Sequence, residues 1–148
     1  MSTTKKRKPM QVSVETIIEN AGMTADYLAA ISEDEPFHLA VNNDPLQKLV
    51  IEYVGAGETA VSHVYIQNGD LMRDPEIVFN SNWLPIEITQ SPVGIYHRLP
   101  DELVASGRYS VSMNVLAKVW ARNLRAQGFT GDDVVFSSLT SKKFDGGA

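Results

Sequence analysis

The chain has no cysteine, and this absence excludes several kinds of site at once. Disulfide bridges, thiolate zinc sites and cysteine nucleophiles all require the thiol group. No apolar run approaches the roughly 18 residues that a membrane-spanning helix needs, and no apolar signal-peptide core follows the basic N-terminus. We therefore expect a protein of the reducing cytoplasm that has no membrane attachment.

Familiar enzyme motifs are also missing. The sequence contains no glycine-rich dinucleotide or phosphate-binding pattern, no HExxH zinc motif and no GxSxG nucleophile motif. A nuclease that uses Glu-x-Lys would need a lysine two residues after Glu87, where this chain has Thr89. The three histidines, His38, His63 and His97, fall on separate predicted strands. No cofactor is predicted, and these absences favour a non-enzymatic protein.

Positive charge is scarce outside the N-terminus. The chain has 13 Lys and Arg against 18 Asp and Glu, which gives a formal net charge of −5. Four bases cluster at Lys5, Lys6, Arg7 and Lys8, and without them the remainder carries −9. Affinity for a phosphate backbone comes mainly from Lys and Arg. Nucleic acid is therefore not an expected partner, except through the Lys5–Lys8 tail.

What is present fits one globular domain. The 148 residues, 43% of them apolar, can bury a sizeable core. Residues 1–10 are assigned to a flexible basic tail, residues 11–138 to a single domain and residues 139–148 to a second flexible tail.

The first elements have helical periodicity. Ser13 is predicted to cap a helix that ends at Gly22. A second, short helix is predicted from Thr24, and the acidic run before Pro36 is expected to be a solvated loop. The apolar side chains that this second helix should bury are Tyr27, Leu28 and Ile31.

The centre of the chain alternates with a period of two, which is typical of strands. Strands are predicted at 37–41, 48–54, 61–67, 76–79, 83–89 and 94–99. Their short connections favour antiparallel neighbours. A short helix at 101–107, a longer one from about 112 to 127 and a small strand at 134–136 follow. The fold class is therefore α+β: a central antiparallel sheet, a meander of about five to six strands, with an N-terminal helix and a longer C-terminal helix packed on it.

A hairpin around Asn68-Gly69 concentrates polar groups. This dipeptide is the one that two-residue type I′ turns prefer. In that register His63 pairs with Asp74 across the hairpin. Because Pro75 cannot donate a ladder hydrogen bond, we expect a bulge or an edge there.

This hairpin carries the candidate catalytic or metal site. His63, Asp74 and Glu76 would share one face if the register continued past the proline. An imidazole with two carboxylates suffices for acid–base catalysis or for one divalent metal ion, and equally for a structural network that pins the hairpin. The enzymatic alternative is a small metal-dependent hydrolase or nuclease that uses these three residues, with Asp70 close by.

Two sets of residues are candidates for contact with a partner. Asp70 and Arg73 lie on the hairpin. Lys118, Arg122 and Arg125 share one face of the long C-terminal helix, where a basic face either docks a partner or simply solubilises the helix and complements its dipole. The apolar stripe of this helix is assigned to Leu116, Val119, Trp120 and Leu124.

The same hairpin resembles a known family. The resemblance is carried by the run NGDLMRDPE at Asn68 to Glu76, by His63-x-Tyr65 before it, and by Phe79 and Trp83-x-Pro85 after it. The segments Pro45 to Tyr53 and Trp120 to Phe129 are similar too, so the resemblance spans roughly residues 12 to 130. The family consists of small uncharacterised proteins encoded on plasmids, integrative elements and phages of bacteria.

The resemblance implies an accessory protein of a prokaryotic mobile genetic element, but no mechanism. The expected function is a non-enzymatic protein-binding module, such as a modulator or inhibitor of a host defence or replication complex. Its partner would be a host or element-encoded protein in the cytoplasm of the host cell. We expect a monomer or a homodimer, because exposed edge strands allow either state.

Overall fold

The computed structural model describes residues 6–91, 94–108 and 110–138. Its helices are α1 Pro9–Asn20, α2 Thr24–Glu33, α3 Asp101–Ala105 and α4 Val111–Ala126. Its strands are β1 Phe37–Asn42, β2 Lys48–Gly55, β3 Glu58–Gln67, β4 Asp70–Phe79, β5 Pro85–Gln90, β6 Ile95–Arg98 and β7 Val135–Ser137. All seven strands form one antiparallel sheet in the order β6-β5-β4-β3-β2-β1-β7.

The α+β class and the antiparallel sheet are confirmed, but the sheet has more strands than predicted. Six strands form a meander from β1 to β6, and β7 pairs with the outer edge of β1. The small strand predicted at 134–136 is β7, but the predicted sheet of five to six strands did not include it. Its pairing partner β1 lies far away in sequence, so the pairing could not be predicted.

The helix arrangement also differs from the predicted pair of helices. α1, α2 and α4 contribute to one large core on a single face of the sheet. Val104 of α3 packs against this core and also against a small cluster of Ala60, Val78 and Ile86 on the other face. The two faces therefore differ: three helices cover one, while in the described part of the chain only α3 packs at one end of the other, which we call the open face.

α1 begins earlier than predicted. Its first residue is Pro9, which suits the first helical position because its missing N–H needs no partner there. Ser13 is therefore not the cap. It is fully buried, and its hydroxyl donates to the carbonyl oxygen of Ala121 on α4 at 3.5 Å. Gly22 follows the helix with a φ of +71°, as predicted for that position.

α2 begins at Thr24 as predicted, but it buries only one narrow stripe. Tyr27 is buried, and its hydroxyl lies 2.7 Å from the hydroxyl of Thr59. The predicted burial of Leu28 and Ile31 is wrong, since these side chains are 58% and 39% exposed. α2 contacts β1, β2 and α1, and a helix at the border of the core has only one narrow face to bury.

α4 lies within two residues of its predicted bounds. Ser110 caps it, because its hydroxyl accepts a hydrogen bond from the Met113 N–H at 3.3 Å. The inner face buries Met113, Ala117, Trp120, Ala121 and Leu124. Val119, which the sequence assigned to the apolar stripe, is 40% exposed and lies outside this buried set.

No helix in the described ranges has the length and apolar character needed to cross a membrane.

Candidate functional site

The central hairpin has the predicted turn and the predicted bulge. Asn68 and Gly69 both have positive φ, at 54° and 84°, as a type I′ turn requires. The β3–β4 ladder runs from this turn to the pair Val64–Arg73 and resumes at Ser62–Glu76. The remaining residues, Asp74 and Pro75 on β4 and His63 on β3, therefore form a two-against-one bulge.

This bulge divides the three predicted catalytic or metal-binding residues between two faces. His63 lies on the helix-covered face, with its ring centroid 5.4 Å from that of Trp120 and 5.5 Å from that of Phe129. Glu76 pairs with Ser62, which precedes His63 and so points to the open face. The structure therefore does not bring Glu76 to His63. Among the described residues, no group of three or more His, Asp and Glu is arranged to hold a metal ion.

His63 is in a mostly apolar environment. Burial lowers the pKa of its imidazole, and the backbone of Lys48 and Gln47 and the charge of Asp74 oppose that shift only in part. An imidazole with a lowered pKa is neutral at pH 7. His63 therefore packs as an aromatic residue between the sheet and α4.

Arg73, a predicted binding residue, belongs to a polar cluster on the open face. Its Nη1 atom lies 3.4 Å from Glu52 Oε1, 3.4 Å from Ser62 Oγ and 3.5 Å from Glu76 Oε2. Burial raises the pKa of Glu76, and the guanidinium of Arg73 opposes this shift. These contacts link three neighbouring strands, so Arg73 is engaged within the fold.

A groove of about 380 Å³ lies beside this cluster. Its apolar floor is a buried cluster of Ala40, Val50 and Val64. His38, the cross-strand neighbour of Glu52, also lines it, and burial lowers the pKa of that imidazole while Glu52 opposes the shift. The groove is therefore lined by a histidine, His38, and a carboxylate, Glu52. Its arginine, Arg73, already contacts two carboxylates of the fold.

A second arginine network lies on the same face and was not predicted. Arg98 Nη1 lies 3.0 Å from Glu87 Oε1, and its Nη2 lies 3.3 Å from Glu58 Oε2. The hydroxyl of Tyr96 donates to Glu87 at 3.3 Å. Because Arg98 and Glu87 are direct cross-strand partners, the β5–β6 register is the signal that would have identified them.

The three predicted basic residues of α4 lie together on its outward face. Lys118, Arg122 and Arg125 are exposed, and none of them pairs with a carboxylate in the described part of the chain. Asp70, the other predicted binding residue, is exposed at the hairpin turn and not on α4.

Three exposed valines, which were not predicted as binding residues, accompany these bases. Val111, Val115 and Val119 are 72%, 53% and 40% exposed. Their spacing of four residues places them on one side of the helix, next to the bases. In the sequence, these valines form a second apolar series along α4, offset from the series that the helix buries. That second series could have identified them. We call the set Val111, Val115, Lys118, Val119, Arg122 and Arg125 the α4 face.

The comparisons with known proteins give a family. The family DUF6908, described as a domain of unknown function, matches residues 12–130. This range includes most of α1, the whole meander and all of α4, and it leaves out β7. No curated protein and no solved structure matches the chain. The chain therefore belongs to the DUF6908 family.

Proposed function

We propose that this protein is a non-enzymatic protein-binding module that docks an acidic segment of its partner on the α4 face. In this proposal it is an accessory factor of a prokaryotic mobile genetic element. It acts in the host cytoplasm as a modulator or inhibitor of a host defence or replication complex. The combination of exposed valines with unpaired bases on α4 is the observation that carries the proposal.

The valines of the α4 face have no function in folding that the structure accounts for. The helix is already anchored by its buried side, which includes Trp120 and Leu124. Valine forms helices less readily than alanine, because its branched side chain loses rotamer freedom against the preceding turn. Three valines that are 40% or more exposed therefore lower helix stability while burying only part of their side chains. Their presence is explained if the surface of a partner covers them.

The charges indicate the chemistry of that partner. α4 contains no Asp or Glu, although the whole chain has a net charge of −5. Its three bases are therefore free to pair with carboxylates of another molecule. The occupant that fits is a protein segment with acidic side chains around apolar ones, such as an amphipathic acidic helix.

The biological setting in this proposal comes from the sequence resemblance. The GDLMRDPE-type hairpin is similar to proteins carried by plasmids, integrative elements and phages. Membership of DUF6908 is compatible with that setting, since the family is described only as a domain of unknown function.

The test is site-specific crosslinking in host cells. A photoreactive amino acid at position 115 is expected to crosslink to an acidic segment of a partner protein. The double variant Val119→Ser, Arg122→Glu should lose most of that crosslinking. A matched control, Ile66→Ser with Lys48→Glu, makes the same chemical changes on the open face and should keep it. Ile66 is 66% exposed and Lys48 is exposed, so both pairs should fold.

Three outcomes would overturn the proposal. One is equal crosslinking by the α4 variant and the open-face control. Another is a crosslink to a second copy of this chain. The third is binding to duplex DNA that requires Arg122 and falls steeply as salt is added, because that would identify a phosphate backbone as the occupant.

A further inference from the structure

Two adjoining cavities lie where the start of α1, the loop between β4 and β5, and α4 meet. The larger has a volume of about 220 Å³ and the smaller about 140 Å³. Lys8 and Trp83 line both of them, so the two cavities share a wall. They lie on the helix side of the molecule, away from the Arg73 cluster.

The two cavities have different linings. The larger one is mainly apolar, with Met10, Phe79 and Trp83 among its walls. The indole of Trp83 lies 5.4 Å from the ring of Phe79, centroid to centroid. A flat apolar group fits against such aromatic walls. The smaller cavity is polar and is lined by Lys6, Arg7, Lys8, Gln11, Ser81 and Asn82 as well as Trp83.

The charged residues that line the two cavities are all basic. Lys8 and Lys118 flank the apolar cavity, and no Asp or Glu lines either cavity among the described residues. Arg7 is already paired with Glu15. Lys6, Lys8 and Lys118 pair with no carboxylate of the described residues. On a chain with net charge −5, this arrangement favours an anionic group.

Trp83, whose side chain lines both cavities, has a strained backbone. Its φ is +61°, a left-handed conformation that bulky residues rarely adopt. The loop is held by Asn80, whose Oδ1 accepts hydrogen bonds from the N–H groups of Asn82 and Leu84 at 2.9 and 3.0 Å. A left-handed bulky residue is unfavourable, and such residues concentrate at ligand sites.

We propose that the two cavities form one binding site for a small molecule that joins a flat apolar ring to an anionic group. The ring lies in the larger cavity against Trp83 and Phe79. The anion, a phosphate or a carboxylate, lies between Lys8 and the other bases. This site is distinct from the proposed docking of a partner on the α4 face, with which it shares only Lys118.

The test uses four small probes in titration calorimetry with the full chain. Phenyl phosphate and benzoate carry both a ring and an anion, phenol carries the ring alone, and inorganic phosphate carries the anion alone. At least one aromatic anion is expected to bind about tenfold more tightly than phenol and inorganic phosphate. Whichever of phenyl phosphate and benzoate binds more tightly identifies the preferred anion.

Variants and spectroscopy then locate the site. Lys8→Gln should weaken binding of the tighter aromatic anion about fivefold, the upper range for an exposed ion pair. Lys48→Gln, the same change on the open face, should leave it unchanged. The chain has two tryptophans. The indole N–H resonance of Trp83 should shift on binding, while that of Trp120, which lines neither cavity, should not.

The proposal is overturned if neither aromatic anion binds at millimolar concentration, or if phenol binds as tightly as both of them. It is also overturned if Lys48→Gln weakens binding as much as Lys8→Gln does. None of these results bears on the α4 face, because crosslinking at position 115 depends on neither Lys8 nor Trp83.

Discussion

Burial shifts the pKa of three side chains on the two faces of the sheet. It lowers the pKa of His63 on the helix-covered face and that of His38 on the open face. It raises the pKa of Glu76. In each case the buried environment disfavours the charged form more than nearby opposite charges favour it. Each of these residues therefore makes the free energy of unfolding depend on pH.

For His63 the sign follows from proton linkage. Its pKa in the folded state lies below the ordinary value of 6.5, so the unfolded chain binds more protons between those two values. The free energy of unfolding is therefore expected to fall as the pH drops from 7.5 to 5.5. For Glu76 the pH dependence is opposite, because its folded-state pKa is raised above the ordinary value of 4.5. Its contribution to the free energy of unfolding falls as the pH rises above 4.5.

The variant His63→Gln isolates the contribution of His63. Since Gln does not titrate, this variant should lose a smaller amount of unfolding free energy between pH 7.5 and 5.5 than the parent does. Urea unfolding at both pH values measures this difference. His97→Gln, the same change at an exposed histidine on β6, is the matched control. If His63→Gln shows the same pH dependence as the parent, then His63 is not the source.

At the scale of elements, the hairpin shows what local sequence could and could not predict. The dipeptide Asn68-Gly69 identified the turn type, and Pro75 identified the bulge. The face of Glu76 could not be predicted, because one inserted residue moves every later side chain to the other face. The Arg98 network depended on register between two strands and not on any local motif.

A substitution at Gly69 tests the turn. With φ at +84°, Gly69→Ala is expected to cost about 1–2 kcal/mol of unfolding free energy. A Cβ there would meet no heavy atom within 4 Å, so the cost is conformational and not steric. Denaturant unfolding provides the measurement. Asn68→Gly, which also permits positive φ, should change the free energy by less than Gly69→Ala does. Equal stability of Gly69→Ala and the parent would contradict the type I′ turn.

For the whole molecule, sequence patterns predicted the class and the meander but not how the sheet ends. Period-two alternation and short connections were enough for six consecutive strands. The seventh depends on a contact between distant parts of the chain. Ser138 donates its hydroxyl to the carbonyl oxygen of His38 at 2.7 Å, across 100 residues of sequence. Local periodicity contains no information on such a pair.

We predict that β7 is the least stable strand among those described. It is three residues long, and Val135 is 65% exposed. Few buried apolar contacts allow local opening at a low free energy. Native-state hydrogen exchange should therefore show weaker protection of the β1–β7 amides, around Val41 and Phe136, than of the β3–β4 amides around Val61 and Ile77. Equal protection in both ladders would mean that β7 opens only with the whole domain.

The distant pairing of β7 with β1 also sets an order of events during synthesis. β1 leaves the ribosome roughly 100 residues before β7 does. At about 5–20 residues per second, its outer edge stays unpaired for about 5–20 s in every newly made molecule. During that interval the nascent chain presents a bare strand edge of the kind that pairs with other chains. The interval between translating β1 and translating β7 is thus when this protein is most exposed to misassembly.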